Sequence, residues 1–388
     1  MQVQGVAPNR ALIATEAIAE GTSIEIETDI STAQYALLRQ HWTTHCQFCL
    51  TRARGEGVIR CACGAVHCDA QCKRKSSHTQ ECVKLERLKL EIEKHIDISD
   101  IVLLARAYGT LSSHVKDLAI IPSVKQEIST DPTCARISAL ANKLYSRVPE
   151  DAEKTHRVQA QFRANNFMIC DESLQPIAQL IAPRAALLNH SCAPNVCATY
   201  ALSASCAPRQ IFVALRDISV GEELVHSYVD ACHPPYVRAQ SLKNRYGFEC
   251  ACARCTNPYE IDLECTLNIR GELDRACGEF LHQSVNLLSS LRRHYISDPR
   301  KEIDALASLV KQAKERLHPN HWFMRMVAVQ LMQACLVTGD TGDTRTAAAL
   351  NRYLLERDLK ALCSRVHPQI VMETQIMHEL EMVLQEIE

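Results

Sequence analysis

Leu187-Leu188-Asn189-His190-Ser191-Cys192-Ala193-Pro194-Asn195 is the stretch on which the fold turns. The apolar run Ala185–Leu188 reads as a strand that ends on a polar Asn-His pair, with a cysteine two residues beyond. Upstream stands Asn165-Asn166-Phe167-Met168-Ile169-Cys170. Downstream come Gly221-Glu222-Glu223-Leu224-Val225-His226-Ser227-Tyr228-Val229-Asp230 and Arg245-Tyr246-Gly247-Phe248-Glu249-Cys250-Ala251-Cys252-Ala253-Arg254-Cys255. The last segment packs three cysteines into six residues, which is metal-ligand spacing.

Working outward, 388 residues are too many for one ordinary hydrophobic core, so two or three structural units are expected. With 47% hydrophobic and 23% charged residues the chain reads as soluble and globular. A net charge of -2 argues against a protein built mainly to neutralise a phosphate backbone. Residues 1–20 carry Arg10, Glu16 and Glu20 and lack the basic-then-apolar pattern of a secretory signal. No apolar run approaches the ~18 residues of a membrane span. The 20 cysteines are therefore expected as reduced thiols in the cytosol or nucleus, where clusters favour metal over bridges.

Seven of those cysteines, with His78, form four short pairs: Cys46/Cys49, Cys61/Cys63, Cys68/Cys72 and His78/Cys82. Eight soft ligands suit two tetrahedral zinc ions. The segment has few apolar side chains beyond Phe48, Val58, Ile59 and Val66, so metal must supply the missing stability, of the order of 10–16 kcal/mol per structural zinc. With every position filled by protein, both sites would be structural.

This ligand order resembles the MYND zinc finger. The resemblance implies that Cys46, Cys49, Cys68 and Cys72 hold one zinc and that Cys61, Cys63, His78 and Cys82 hold the other. The Cys61/Cys63 spacer is one residue short of the family's, which leaves His67 open as a substitute ligand. The family's finger docks proline-containing peptides, so such a partner is implied here.

Asn-His-Ser-Cys-x-Pro-Asn, Ser-Tyr-x-Asp and Cys-x-Cys-x2-Cys, in this order, resemble the SET domain and its cysteine-rich tail. The whole chain is thus similar to the SET and MYND domain (SMYD-type) protein lysine methyltransferases. The resemblance implies transfer of a methyl group from S-adenosylmethionine to a lysine of a histone or non-histone protein. It makes Tyr228 the catalytic residue, at the end of a lysine channel lined by Tyr246 and Ala182. Asn9, Arg10, Asn165, Asn189, His190, Tyr228 and Phe248 become the cofactor-binding residues, with Phe248 over the adenine. Cys192, Cys250, Cys252 and Cys255 become a third zinc site that ties the tail to the Asn-His segment. Methyl transfer needs the neutral amine of a lysine whose free pKa is about 10.4, and an apolar channel favours it by desolvation.

The implied fold is α+β: a knot-like SET β-fold interrupted by a MYND finger and a helical insert, then an all-α, tetratricopeptide-like domain. Its boundaries are 1–45 for the N-terminal SET part, 46–82 for the finger, 83–160 for the insert, 161–249 for the SET core, 250–260 for the zinc tail and 261–388 for the helical domain. The residues agree. Alternating apolar positions on both sides of Glu20-Gly21 look like two strands joined by a turn, and Gln210–Ala214 with Glu223–Val225 repeat the pattern around Gly221. Leu85, Leu88, Ile92, Ile96 and Ile101–Ala107 recur at helical spacing. In the tail, Leu273, Cys277, Phe280, Leu281 and Leu288 suggest one helical face, and Ile303, Leu306, Val310, Ala313 and Leu317 another. His318-Pro319 and His367-Pro368 introduce two later helices. This tail reads equally as a border of the substrate cleft and as a stabilising lobe.

Departures from the family stand at Ala11, Ala178 and Leu180 in place of glycines, at Ala182 in place of a tyrosine, and at His226 in a normally apolar position. They bear on substrate choice and degree of methylation. Nine scattered cysteines (Cys134, Cys170, Cys197, Cys206, Cys232, Cys265, Cys277, Cys335 and Cys363) are expected as buried packing residues. Direct nucleic-acid binding and membrane association are not expected, a monomer is, and the family implies a cytoplasmic and nuclear distribution. The rival reading is an inactive SET scaffold whose finger binds proline-containing peptides.

Overall fold

A computed structural model describes residues 1–4, 10–26, 34–88, 91–92, 96–110, 131–145, 152–171, 176–273, 277–294, 299–338 and 340–387. The chain divides into two compact units. One comprises Met1–His190, Pro194–His226 and Leu242–Phe248, and the other Ser191–Ala193, Ser227–Ser241 and Glu249–Glu388.

Twelve short strands, all among the described residues, belong to the first unit: β1 (Gln2–Gln4), β2 (Ala11–Ile13), β3 (Ser23–Ile24), β4 (Gln34–Leu37), β5 (Ile59–Arg60), β6 (Val66–His67), β7 (Asn166–Cys170), β8 (Pro176–Ile181), β9 (Asn189–His190), β10 (Val196–Ala201), β11 (Arg209–Ala214) and β12 (Val225–His226). They form antiparallel sheets in the orders β4-β8-β7 and β10-β11-β3, the pairs β1-β2 and β5-β6, and one parallel pair, β9-β12. Period-two alternation explains which side faces in: Phe167 and Ile169 are buried on β7 while Met168 points out, and Gln210, Phe212 and Ala214 are buried on β11.

The two strands flanking Glu20-Gly21 do not pair with each other. Residues 12–24 instead run antiparallel along residues 212–224 in one unbroken register. Leu224 N donates to Leu12 O, Ala14 N to Glu222 O, Ile18 and Ile218 exchange both bonds, Gly21 N donates to Ala214 O, and Ile24 faces Phe212. Each segment turns on a glycine of positive φ, Gly21 at 79° and Gly221 at 82°. The repeated pattern is thus two halves of one long-range pairing, which buries Leu12, Ile24, Phe212 and Leu224 in a single core.

Ala185–Leu188 is not a strand either. Ala185–Leu187 forms one 3-10 turn, with Ala186 N bonded to Ala182 O and Leu188 N to Ala185 O, and extended structure begins at Asn189. Leu188 anchors the end of this turn in the core.

Helices α1 (Ala70–Lys75), α2 (His78–Leu88), α3 (Ile98–Thr110), α4 (Pro132–Leu144) and α5 (Ala152–Asn165) complete this unit. Helix α2 runs past the finger's last cysteine and buries Leu85 and Leu88. Helix α4 starts from Asp131, whose side chain accepts from Thr133 N, with Pro132 in the first turn. Ile101–Ala105 of α3 are all buried, so this helix is enclosed on every side rather than along one face, and Leu140 of α4 is fully buried too.

Helix α6 (Pro235–Tyr246) begins in the second unit and ends in the first. The second unit continues with α7 (Ala253–Thr256), α8 (Glu260–Glu264), α9 (Gly278–His294), α10 (Pro299–Lys314), α11 (Trp322–Thr338), α12 (Thr341–Leu362) and α13 (Pro368–Ile387). Helices α10 to α13 each pack on the next. Ile303, Leu306, Ala313 and Leu317 are buried, with Val310 against them. Leu273 does not join the face expected of it: it is exposed, outside α9, in a bridge to Leu267. Helix α12 is capped by Asp340, which accepts from Gly342 N and Asp343 N, and ends on Cys363 in the left-handed region.

The scattered cysteines are less uniformly buried than expected. Cys134, Cys232, Cys265 and Cys335 are buried, Cys170, Cys197 and Cys277 are half-buried, and Cys206 and Cys363 are exposed. Both exposed residues lie in turns, one after Ser205 of positive φ and one at a helix end, where no core is available.

Candidate active site and metal centres

Four thiolates held tetrahedrally by zinc at about 2.3 Å stand about 3.8 Å apart. The Sγ atoms of Cys46, Cys49, Cys68 and Cys72 all lie within 4.8 Å of one another, and Cys49 is 3.7 Å from Cys68 and 3.9 Å from Cys72. Local folding sets this spacing. Leu50, with φ of 60°, closes the loop after Cys49, Gln47 N donates to Val66 O, and Asp69 caps α1 by accepting from Cys72 N at 2.7 Å. A hydrogen bond from the Cys46 thiol pulls Cys49 down to about 4, while Cys46 is pushed far up. Only one of the pair ionises readily, and a dication is what would let all four do so. The donor set fits zinc.

Cys61, His78 and Cys82 form a second cluster, and Cys63 Sγ stands 3.2 Å from His78 Nε2 and 3.6 Å from Cys82 Sγ. Cys63 is near those two atoms but, like His67, lies outside the set whose ligand atoms are all within 4.8 Å of one another. His67, the alternative ligand, lies fully buried with Nδ1 3.7 Å from Cys61 Sγ and outside the mutual contacts of the cluster.

In the second unit Cys192, Cys250, Cys252 and Cys255 converge within the same 4.8 Å limit. Sequence reasoning passed over Arg254, although it stands between two of these ligands. Its guanidinium is buried and donates to Cys192 O, to Ala361 O at 2.9 Å and, twice at 2.7 Å, to Asp262. Arg238 shares Asp262 at 2.7 Å, so one buried carboxylate holds two guanidinium groups beside the third cluster.

In the first unit the parallel pair β9-β12 sets Asn189 opposite Val225 and His190 opposite His226. Asn189 Nδ2 donates to Arg10 O at 2.8 Å and to Glu223 Oε1 at 2.6 Å. Both amide hydrogens are thereby used, and Oδ1 is the atom left to accept from a ligand. The Phe248 ring lies 5.8 Å from that of His190, so Arg10, Asn189, His190 and Phe248 come together. Glu223 and Asn195 were also missed. Asn195 is fully buried and holds the approach to β12: it bonds Val225 N and O, Glu223 O and the Glu222 carboxylate. Their place in two conspicuous motifs was the available signal.

Asn165 ends α5, where its amide donates to Gln161 O at 2.6 Å. The following Asn166 bonds Gln179 and accepts from Arg245, which stacks on Tyr246. His226 is accommodated in an aromatic setting, stacked on Phe167 at 5.5 Å and edge-on to Phe212 at 6.1 Å. Ala11, Ala178 and Leu180 are ordinary strand residues of β2 and β8. Tyr228 is half-buried, two residues past β12 and within the second unit. Asn9 lies outside the described residues.

Ala182 is the second residue given to the lysine channel. It is fully buried in the wall of a cavity of about 370 Å³ whose other sides come from Tyr35, Phe48, Leu180, Tyr200 and Gln210, and not from Tyr246.

The chain matches the family model of the SET domain over residues 9–229, more than half its length. It is 26% identical over 321 residues to the N-lysine methyltransferase SMYD2-B of Danio rerio, covering 76% of this chain and 70% of that protein. It is 28% identical over 334 residues to the N-lysine methyltransferase SMYD2 of Sus scrofa, and 26% over 333 residues to that of Homo sapiens, each time covering 79% of this chain and 73% of the relative. Among the described residues no helix is long and apolar enough to cross a membrane.

Proposed function

The chain belongs to the SET domain family, and from that premise we propose that it is a protein-lysine N-methyltransferase that uses S-adenosylmethionine. Its relatives carry that activity in their names. The observation that carries the reading is the parallel pairing of Asn189-His190 with Val225-His226 inside the matched segment, with Tyr228 two residues further along the chain.

S-adenosylmethionine, when bound, supplies a methyl group on a sulfonium, open to in-line displacement by an amine. The chain's own residues divide the remaining work. Arg10, Asn189, His190 and Phe248 are the holding set: the Asn189 carbonyl is positioned to accept, and the Phe248 and His190 rings offer flat faces to a planar base. Asn9 and Asn165 join this set on the strength of the resemblance alone. Tyr228 is assigned the reacting centre, where its hydroxyl orients the lysine amine, and Tyr246 the wall that desolvates it.

Three structural zinc ions are proposed, one per cysteine cluster, supported by the convergence of each donor set. The substrate is a protein. A proline-containing peptide at the finger, a monomeric state and a shared cytoplasmic and nuclear distribution complete the proposal by family likeness.

Radiolabelled methyl transfer from S-adenosylmethionine to a mixed protein extract, wild type beside Tyr228→Phe, is the test. Incorporation by wild type that drops at least 100-fold in the variant supports the assignment. Tight cofactor binding without transfer by wild type would make the protein an inactive scaffold, and failure to bind S-adenosylmethionine would overturn the cofactor assignment.

A further inference from the structure

Apart from Ala182 itself, none of the residues assigned to cofactor or lysine lines the cavity beside it. Its walls come from the finger (Gln47, Phe48), from β4 and β8 (Tyr35, Leu180) and from β10 and β11 (Tyr200, Gln210). Its volume of about 370 Å³ lies in the range of small-ligand pockets, roughly 300–1,000 Å³. Ala182 contributes only a methyl group where the family resemblance leads one to expect a tyrosine.

Two side chains in these walls are inconsistent with a purely apolar void. Gln47 and Gln210 are 7% and 8% exposed, and among the described residues Gln47 Nε2 and both amide atoms of Gln210 have no hydrogen-bond partner. The Tyr200 phenol is close enough to feel the Gln210 amide, but the pair does not meet hydrogen-bond geometry. A buried amide left in this state is costly, and native proteins keep such groups where something else satisfies them.

The charges around the cavity say what that something is. Arg106 is neutralised by a bidentate pair with Glu81 at 2.8 Å. Arg209 pairs with Glu25 at 2.8 Å, and exposed Lys75 donates to Ser205 O and lies over the Phe48 ring. The Tyr35 hydroxyl is used on Phe48 O at 2.7 Å. The unmatched groups are thus neutral: one amide N–H2 on Gln47, and both an N–H2 and a C=O on Gln210. The group complementary to a donor beside an acceptor is another amide, and the aromatic and aliphatic walls suit an apolar body attached to it.

We propose that this cavity is a binding site for a neutral carboxamide carried on an apolar or aromatic body, read by Gln47 and Gln210. The terminal torsion of glutamine is broad, so each amide turns toward the ligand at little cost. The carboxamide could be that of a free small molecule or of a peptide, and both share this chemistry.

Saturation-transfer NMR on the full chain tests it with three probes: benzamide, N-acetyl-leucinamide and benzoate. The two amides are expected to receive saturation and benzoate is not, with the stronger of the two identifying the free or the peptide source. Gln210→Leu should cut the amide signals at least fivefold and raise Tm, because it removes two unsatisfied buried atoms. Gln47→Met, of similar volume, should weaken the same signals and serves if the first variant fails to fold. No transfer to either amide in wild type, equal transfer to benzoate, or amide signals unchanged in whichever variant folds would overturn the proposal.

Discussion

Asn189 Nδ2 donates to Glu223 Oε1 at 2.6 Å, a charge-assisted bond across the two segments that flank the β9-β12 pair. It commits one amide hydrogen of Asn189 and Arg10 O commits the other, so the orientation of the whole amide is fixed by these two bonds. Glu223→Ala should therefore let the amide rotate and raise the Kd for S-adenosylmethionine about threefold to tenfold, as loss of one exposed charged hydrogen bond would. Calorimetric titration reads it, and Glu223→Gln, which keeps an acceptor, should recover most of the affinity.

Asn195 is the larger structural commitment. Its side chain bonds Val225 N, Glu223 O and the Glu222 carboxylate from a fully buried position. Asn195→Ala strands a buried N–H and a buried C=O and should cost about 2–4 kcal/mol, read as a lower urea midpoint at unchanged slope.

Metal content separates the three clusters. Cys192→Ser should lose one zinc per chain and keep the two of the finger, whereas Cys49→Ser should lose one from the finger and leave the other two. Plasma mass spectrometry on purified protein counts them. A strong chelator should strip all three and lower Tm, since each site contributes folding free energy.

Glu373 makes the second unit sensitive to pH. Burial, followed by the Asp358 carboxylate, raises its folded-state pKa from 4.5 to about 8. In the unfolded chain it ionises near 4.5. The stability it contributes is therefore complete below that pH and is lost as pH rises toward 8, on the order of 2 kcal/mol between pH 6 and 8. Glu373→Gln removes this titration. Denaturation of wild type and variant across that interval should give a falling curve for the first and a flatter one for the second. The other groups facing Glu373 are Arg325, which opposes the shift, and Gln369, which bonds it at 3.0 Å.

Metal spacing was the most legible feature of the chain. Short pairs bring their own two ligands together, while the grouping of Cys46/Cys49 with Cys68/Cys72 was implied by the resemblance and is what the structure brings together. Helical periodicity was nearly as clear, and Ile303, Leu306 and Ala313 are buried as it predicts. Leu273 failed because its neighbours form a turn held by Leu267, a contact that periodicity does not encode. Glu20-Gly21 failed for a related reason: local alternation marks strands, but Leu12 and Ile24 find their partners two hundred residues away, at Leu224 and Phe212.

Sequence by itself marked the candidate chemistry carried by the chain: twelve candidate metal ligands, eight of them in short pairs, an Asn-His pair, and a tyrosine after Val225-His226. Tertiary structure alone decided which of these meet and what else they need. It put Cys192 with the Cys250 trio, bonded Asn189 to Glu223 and Arg10, buried Arg254 against Asp262, and set Ala182 and Gln210 in the wall of one cavity. The physical reason is range. Chelate spacing and periodicity act over a few bonds, whereas hydrogen-bond satisfaction and cavity shape depend on groups that only a folded core brings together.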